Sequence, residues 1–284
     1  MTRIGVLPNI DKDINLEYTK SIVLWLQEKG YKPFVMKKFS NTLDGCEYFD
    51  TMHDLCRESD FIVVLGGDGT ILDKASIAAK FDTPLLGINL GTLGYLTDVE
   101  KSEGKKALEK VFRNEYTIER RIMLELDLDN GTDNEKHIAL NDIYVIRGDM
   151  SKMITTNIKI NGQYIDTYRA DGVIVSSPSG STAYNLSAGG PVVKPDLDIM
   201  LITPICPHKI YSRPSVVSGN DVVTIQLDEM SSDDAVISVD GKNIGNLNKG
   251  DTINISKSKY CTSIMRTNNL GFYDILRNKF SISR

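Results

Sequence analysis

The residues with the clearest chemical potential are Gly66-Gly67-Asp68-Gly69-Thr70. Three glycines in four positions permit a sharp turn and the close approach of a ligand, because no Cβ obstructs either. N–H groups exposed at such a turn, where a helix begins, attract anions. Thr70 is a candidate N-cap for that helix. Asp68 separates this loop from a bare phosphate cradle. A carboxylate beside bound phosphates is repelled unless a cation or a proton transfer calls for it. The alternative is that Asp68-Gly69 is only a turn pair. The loop is not a P-loop, since no Lys-Ser/Thr follows the glycines, and it is not Gly-x-Gly-x-x-Gly.

Four further clusters have side chains suited to binding. Gly91-Thr92-Leu93-Gly94-Tyr95 is a second glycine loop, read as a ligand contact or as tight packing. Asn141-Asp142 interrupts an apolar strand, and a buried Asn needs partners. Asn can read an adenine edge and Asp can accept from ribose hydroxyls; a bulge or strand end is the other reading. Arg169-Ala170-Asp171-Gly172 precedes a buried strand, and its guanidinium suits a phosphate. The segment from Ser176 to Pro191 is so dense in Ser, Thr and Gly that it reads as a pocket lining and not as core, with Tyr184 offering a face for a base. Val239-Asp240-Gly241-Lys242 reads as a hairpin turn.

Two kinds of element must position these residues. Up to about residue 100, apolar runs alternate with amphipathic segments: strands at Arg3–Pro8, Tyr31–Met36, Phe61–Leu65 and Leu85–Leu90, with helices at Asn15–Lys29 and Tyr48–Arg57 and after Thr70. That alternation predicts βαβ units in a doubly wound parallel sheet, with both glycine loops at carboxyl ends of strands. After a helix at Glu103–Tyr116 the period changes to two, as in Ile122, Leu124, Leu126 and Leu128. Turns at Asn130-Gly131 and Asn161-Gly162 and further short strands predict a β-rich, sandwich-like second domain. The expected division is residues 1–100, with a returning segment 266–284, forming the α/β domain, and 101–265 forming the β-rich domain.

The 284 residues are 41% hydrophobic, enough for a sizeable core, and carry a net charge of -5, which argues against a nucleic-acid or anionic-membrane surface. No apolar run is long enough to span a bilayer. A strand beginning at Arg3 leaves no room for a signal peptide, and a cytoplasmic protein is expected from the cysteines that follow. Cys46, Cys56, Cys206 and Cys261 have no paired spacing and read as reduced thiols, and the three histidines do not cluster with them into a metal site.

In order along nearly the whole chain, the Gly66–Thr70 and Gly91–Leu96 loops, Asn141-Asp142, Arg169–Gly172, Pro178–Pro191, Pro204–His208 and Asp240-Gly241 resemble the NAD kinase family. The Gly-Gly-Asp-Gly-Thr piece is shared with phosphofructokinases and diacylglycerol and sphingosine kinases; Gly180–Pro191 is far more specific. The resemblance implies transfer of the γ-phosphoryl of ATP to the 2′-hydroxyl of the adenosine ribose of NAD. It implies that Asp68 is the base, that Gly66, Gly67, Gly69 and Thr70 bind phosphate, and that Gly69 also lies against NAD. It further implies that Asn141 and Asp142 hold the adenosine, that Thr182, Ala183 and Tyr184 line the adenine pocket with Ser179 and Ser187 nearby, and that Asp240 lies near the reacting ribose. Arg169 and Asp171 would contact the rest of the dinucleotide, partly across a subunit boundary, and Lys152 lies where the family often adds a contact. Many members carry Asn-Glu where this chain has Asn-Asp, a shorter reach. A divalent cation, Mg²⁺ carried on ATP, would serve without a dedicated protein site, and a homodimer or homotetramer is implied. Two competing readings are a lipid kinase, which has no need of a Ser-Thr-Ala-Tyr pocket, and a non-catalytic NAD or NADP sensor, which has no need of Asp68.

Overall fold

The computed structural model describes residues 2–128, 136–149, 152–231, 234–268 and 270–281. It divides into two units, Met1–Arg120 with Thr262–Arg284, and Arg121–Cys261. The expected boundary near residue 100 falls earlier, because Ala107, Leu108 and Val111 of a following helix join the first unit's core. The Asn130-Gly131 turn lies outside the described residues.

In the first unit, β1 (Ile4–Pro8), α1 (Glu17–Glu28), β2 (Pro33–Met36), β3 (Glu47–Phe49), α2 (Met52–Glu58), β4 (Phe61–Gly66), α3 (Asp68–Lys80), β5 (Leu85–Asn89), β6 (Val99–Glu100) and α4 (Gly104–Phe112) follow in order. Strands β3-β2-β1-β4-β5 lie side by side and are parallel. Every residue of β1, β4 and β5 is buried, which is why these runs are continuously apolar and do not alternate. Each fully buried Val, Ile or Leu contributes about 1.5–3 kcal/mol as an upper figure. Helix α1 buries Ile22, Val23 and Leu26. Its Trp25 is not in the core but stacks on Phe112 of α4 at 6.1 Å. Strand β3 was not expected: its Glu47 and Tyr48 are exposed, and only pairing with β2 defines it. The chain leaves β1 toward β2 and β3, then crosses back to β4 on the other side of β1. The crevice beyond the carboxyl ends of β1 and β4 is therefore the topological switch point, where ligands bind in such sheets.

In the second unit, β7 (Thr117–Leu128), which starts in the first unit, leads to β8 (His137–Ala139), β9 (Asp142–Arg147), β10 (Ile154–Ile160), β11 (Gln163–Ala170) and β12 (Gly172–Ser176). Then come the short α5 (Tyr184–Ser187), β13 (Ile199–Ile205), β14 (Ser215–Ser218), β15 (Val223–Leu227), β16 (Ala235–Val239), β17 (Lys242–Leu247) and β18 (Thr252–Arg266). One antiparallel sheet runs β14-β13-β12-β9-β16-β17; β11, β10, β15 and the start of β18 pair antiparallel in another. Ile143, Val145, Val173 and Val175 from the first and Ile154, Ile158, Ile225 and Ile253 from the second share one core, the mark of a sandwich. The last residues of β18 belong to the first unit, where Ile264 pairs parallel with Leu85, and α6 (Phe272–Ser281) ends the described chain. On α6, Ile275 is buried while Phe280 is 52% exposed.

Candidate functional site

The first cluster is built on β4 and α3. Because β4 is buried to its last residue, its end delivers Gly67 and Asp68 to the switch point. Asp68 is the first residue of α3, and Gly67 is its N-cap. Thr70 is therefore not the N-cap: it lies one turn in, and its hydroxyl accepts from the Gly67 N–H at 3.3 Å and from Asn9 Nδ2 at 2.8 Å. The two glycine loops touch, with Leu90 N–H donating to Gly66 O at 2.9 Å. The Asp68 carboxylate accepts four hydrogen bonds from the second loop. Oδ2 accepts from Tyr95 N at 2.7 Å; Oδ1 accepts from Leu96 N and Thr97 N, each at 3.0 Å, and from Thr97 Oγ1 at 2.9 Å. Gly94 is required there, since a Cβ would overlap the Asp68 carboxylate.

Three residues of this cluster were not singled out in the sequence. Asn9, directly after β1, receives Asp11 N and Lys12 N on its side-chain oxygen and so shapes the turn leading to Lys12. The Lys12 ammonium lies against the cradle: a Cβ on Gly67 would meet Nζ at 2.7 Å. Asn89, at the end of β5 and 3% exposed, donates to Thr92 O and Thr97 Oγ1 and accepts from Gly91 N. The available signal was an Asn at the carboxyl end of each strand flanking the Gly-Asp loop. A cavity of about 290 Å³ reaches Gly69 and Thr70 past Asn9, Lys38 and Phe39, and a larger one of about 760 Å³ runs along Asn89, Gly91, Tyr18 and Lys101.

The second cluster belongs to the second unit. The apolar strand read around Asn141-Asp142 breaks at Leu140-Asn141, between β8 and β9, the strand end allowed for above. At the break, Asp240 takes over the backbone: its carboxylate accepts from Leu140 N and Asn141 N at 2.8 Å and from Asp142 N at 3.1 Å. Asp240 is indeed a turn residue, with φ +48° between β16 and β17, but its side chain pins the Asn141-Asp142 segment. Asp142 is 3% exposed, and its Oδ2 is buried with no hydrogen-bond partner among the described residues. Burial and then the neighbouring Asp240 charge push the Asp142 carboxyl up to about 7. Burial also raises Asp240, against three backbone N–H groups that favour its charged form. Those donors make Asp240 the ionised partner and Asp142 the one that holds a proton.

The Ser176–Pro191 segment corrects the expectation that it cannot build a core. Ser176, Ser177, Ser181 and Asn185 are fully buried. Asn185 donates to Ser181 O and Pro191 O and accepts from Thr203 Oγ1; Ser181 exchanges two hydrogen bonds with Val193. It is a hydrogen-bonded polar core, and satisfied polar groups can be buried at small cost. It also grips Asn141, whose carbonyl accepts from Ser177 N at 2.8 Å and which a Cβ on Gly180 would overlap. Ser179 is buried beside Arg121, its hydroxyl accepting at 3.2 Å. Thr182, Ala183 and Tyr184 are half-buried, and Tyr184 meets Tyr144 edge-on at 5.1 Å. Burial, then Tyr144, raises the Tyr184 hydroxyl. Asp171 is paired with Arg147 at 3.3 Å, while Arg169, Lys152 and Ser187 are exposed. The structure thus joins Asn141, Asp142, Asp240 and the serine-rich segment directly.

The chain matches two family models, described as the ATP-NAD kinase N-terminal domain over residues 4–116 and the ATP-NAD kinase C-terminal domain over residues 140–267. It is 45% identical to the NAD kinase of Thermoanaerobacter sp. (strain X514), with 99% of each chain covered, and 43% identical to that of Caldanaerobacter subterraneus subsp. tengcongensis, again with 99% of each covered. Among solved structures it is similar to yeast NADH kinase complexed with NADH (TM-score 0.86, 26% identity, 99% of this chain and 87% of that one). It is also similar to an NAD kinase from Archaeoglobus fulgidus in complex with ATP (TM-score 0.75, 28% identity, 99% and 98%).

Proposed function

Since the chain belongs to the NAD kinase family, we propose that Asp68 is the base that takes the 2′-hydroxyl proton of the NAD adenosine ribose. The protein is an ATP-dependent NAD kinase, a phosphotransferase that converts NAD and ATP to NADP and ADP. Such a transfer needs positioning of the hydroxyl and neutralisation of phosphate charge. One observation carries the role of Asp68: it opens α3 inside the glycine turn, and among the described residues Oδ1 accepts three hydrogen bonds while Oδ2 accepts only that of Tyr95 N. Oδ2 keeps a lone pair for the substrate proton. The donor phosphates lie on the Gly66–Thr70 turn and its N–H groups, with the Lys12 ammonium as counter-charge. The divalent cation is Mg²⁺, bound as part of the ATP substrate.

The NAD adenosine is held by Asn141 and Asp142. Protonated Asp142 can donate a hydrogen bond to a ligand oxygen, which its ionised form cannot. Asp240 fixes both through their backbone. Thr182, Ala183 and Tyr184 receive the adenine, with Ser179 and Ser187 nearby. Gly69, Lys152, Arg169 and Asp171 contact the remainder of NAD. The protein acts in the cytoplasm as a homodimer or homotetramer.

Asp68→Asn tests the base. Turnover of NAD should fall by roughly two to four orders of magnitude, the range of general acid–base catalysis, with NAD affinity by titration calorimetry little changed. The four hydrogen bonds on Asp68 favour one second reading, in which it only latches the two loops. Turnover within about tenfold of wild type, with faster hydrogen exchange at Tyr95, Leu96 and Thr97, would establish that reading instead.

A further inference from the structure

The peptide groups that hold Asp68 are themselves held from the other side by one largely buried arginine. Tyr95 and Leu96 donate their N–H groups to Asp68 and present their carbonyls to Arg266, which donates from Nη2 to Tyr95 O at 2.8 Å and from Nη1 to Leu96 O at 3.4 Å. Arg266 lies on the last residue of β18, 198 positions along the chain from Asp68 by their numbering (266 − 68). Its side chain is 11% exposed. Two carboxylates fix the guanidinium: Glu119 Oε2 accepts from Nε at 2.7 Å, and Asp98 Oδ1 lies 3.2 Å from Nη1. A planar, multiply donating group held this way sets the orientation of two successive peptide planes, which a single-point ammonium cannot do. The same loop is fastened again by α6, where Phe272 lies 6.0 Å from the Tyr95 ring and the Lys279 ammonium 5.0 Å above it.

We infer that Arg266 is a positioning residue for phosphoryl transfer, orienting the Tyr95-Leu96-Thr97 peptides so that they aim the Asp68 carboxylate. The inference rests on the reading of Asp68 as the base. Arg266 touches no reacting group; it acts through the loop. Nothing in the sequence motif containing Asp68 points to it, since it lies in the returning C-terminal segment.

Arg266→Lys keeps a positive charge beside Asp98 and Glu119 but cannot donate to both carbonyls. Its kcat should fall by about 10–100-fold, as when a reacting group is misplaced by about 1 Å, while KM for NAD and the melting temperature stay close to wild type. The decisive measurement is the cycle with Asp68→Asn. If Arg266 acts through Asp68, adding Arg266→Lys to Asp68→Asn lowers single-turnover rates no further. Wild-type kcat in Arg266→Lys, or a loss that persists undiminished in the Asp68→Asn background, overturns the inference while leaving the base in place. Near-normal turnover in Asp68→Asn alone overturns the base reading, and the inference with it. If Arg266→Lys fails to fold, the charge-neutral pair Arg266→Gln with Asp98→Asn takes its place in the cycle, with the same two outcomes.

Discussion

Asp142 resists ionisation because it is buried and stands beside the Asp240 carboxylate. The folded state holds its proton up to about 7, whereas an aspartate in the unfolded chain titrates at about 3.9. The folded state therefore binds the extra proton between these two values, and stability from this group falls as pH rises through that window and is constant above it. Asp142→Asn removes the titration. The unfolding free energy of the variant relative to wild type, from denaturant titrations across that window, should rise with pH; a difference that stays flat would mean that Asp142 titrates normally. Tyr184 acts differently. Its ring is held edge-on by Tyr144, so in the proposed adenine site it would have little entropy left to lose on stacking. Tyr184→Ala should weaken NAD binding by about 1–3 kcal/mol, as for stacked bases elsewhere. It should raise KM with little change in kcat, because stacking is equal in ground and transition states. Unchanged NAD affinity by calorimetry would remove Tyr184 from the adenine site.

At the scale of elements, α6 is attached through a small contact set: Ile275 is 4% exposed, Phe272 packs on Tyr95, and Tyr273 and Phe280 face outward. Ile275→Ala should cost about 2–5 kcal/mol, the range for emptying a buried isoleucine, measured by chemical denaturation. A loss below the range for a surface change, about 0.5 kcal/mol, would mean that the helix is not docked in solution. The serine-rich element around α5 is stable for another reason. Its polar groups satisfy each other and the backbone of Asn141, so rigidity comes from hydrogen bonds in place of apolar packing. Composition marks such a segment as unusual, but it cannot say whether the hydroxyls face a ligand or one another. Strands β14 and β17 escaped sequence reading for a related reason. Exposed or polar residues such as Val216, Asn243 and Asn246 carry little periodicity, and pairing with β13 and β16 supplies the strand.

At the scale of the whole molecule, each unit encloses its own apolar core, and β18 and α6 bring the chain's end back to the first. The proposed oligomer is checked by sedimentation equilibrium of the purified protein, which should give two or four times the chain mass; a single chain mass at catalytic concentrations would exclude a shared substrate contact at Arg169. The amino-acid sequence by itself determined what is local or periodic. Continuous apolar runs specified buried parallel strands, alternation specified the sandwich, and the glycine turn with Asp68 and the Gly180–Pro191 stretch carried the family. These are legible because backbone freedom, side-chain period and residue type act over a few neighbouring positions. Only the tertiary structure decided what Asp68 and Asp142 experience. The donors to Asp68 come from Tyr95–Thr97 and the clamp on those from Arg266, while burial and then the neighbouring Asp240 carboxylate raise Asp142. Hydrogen bonding and electrostatics act through space over a few ångströms, so residues far apart in the chain set the chemistry of a group whose identity alone was readable.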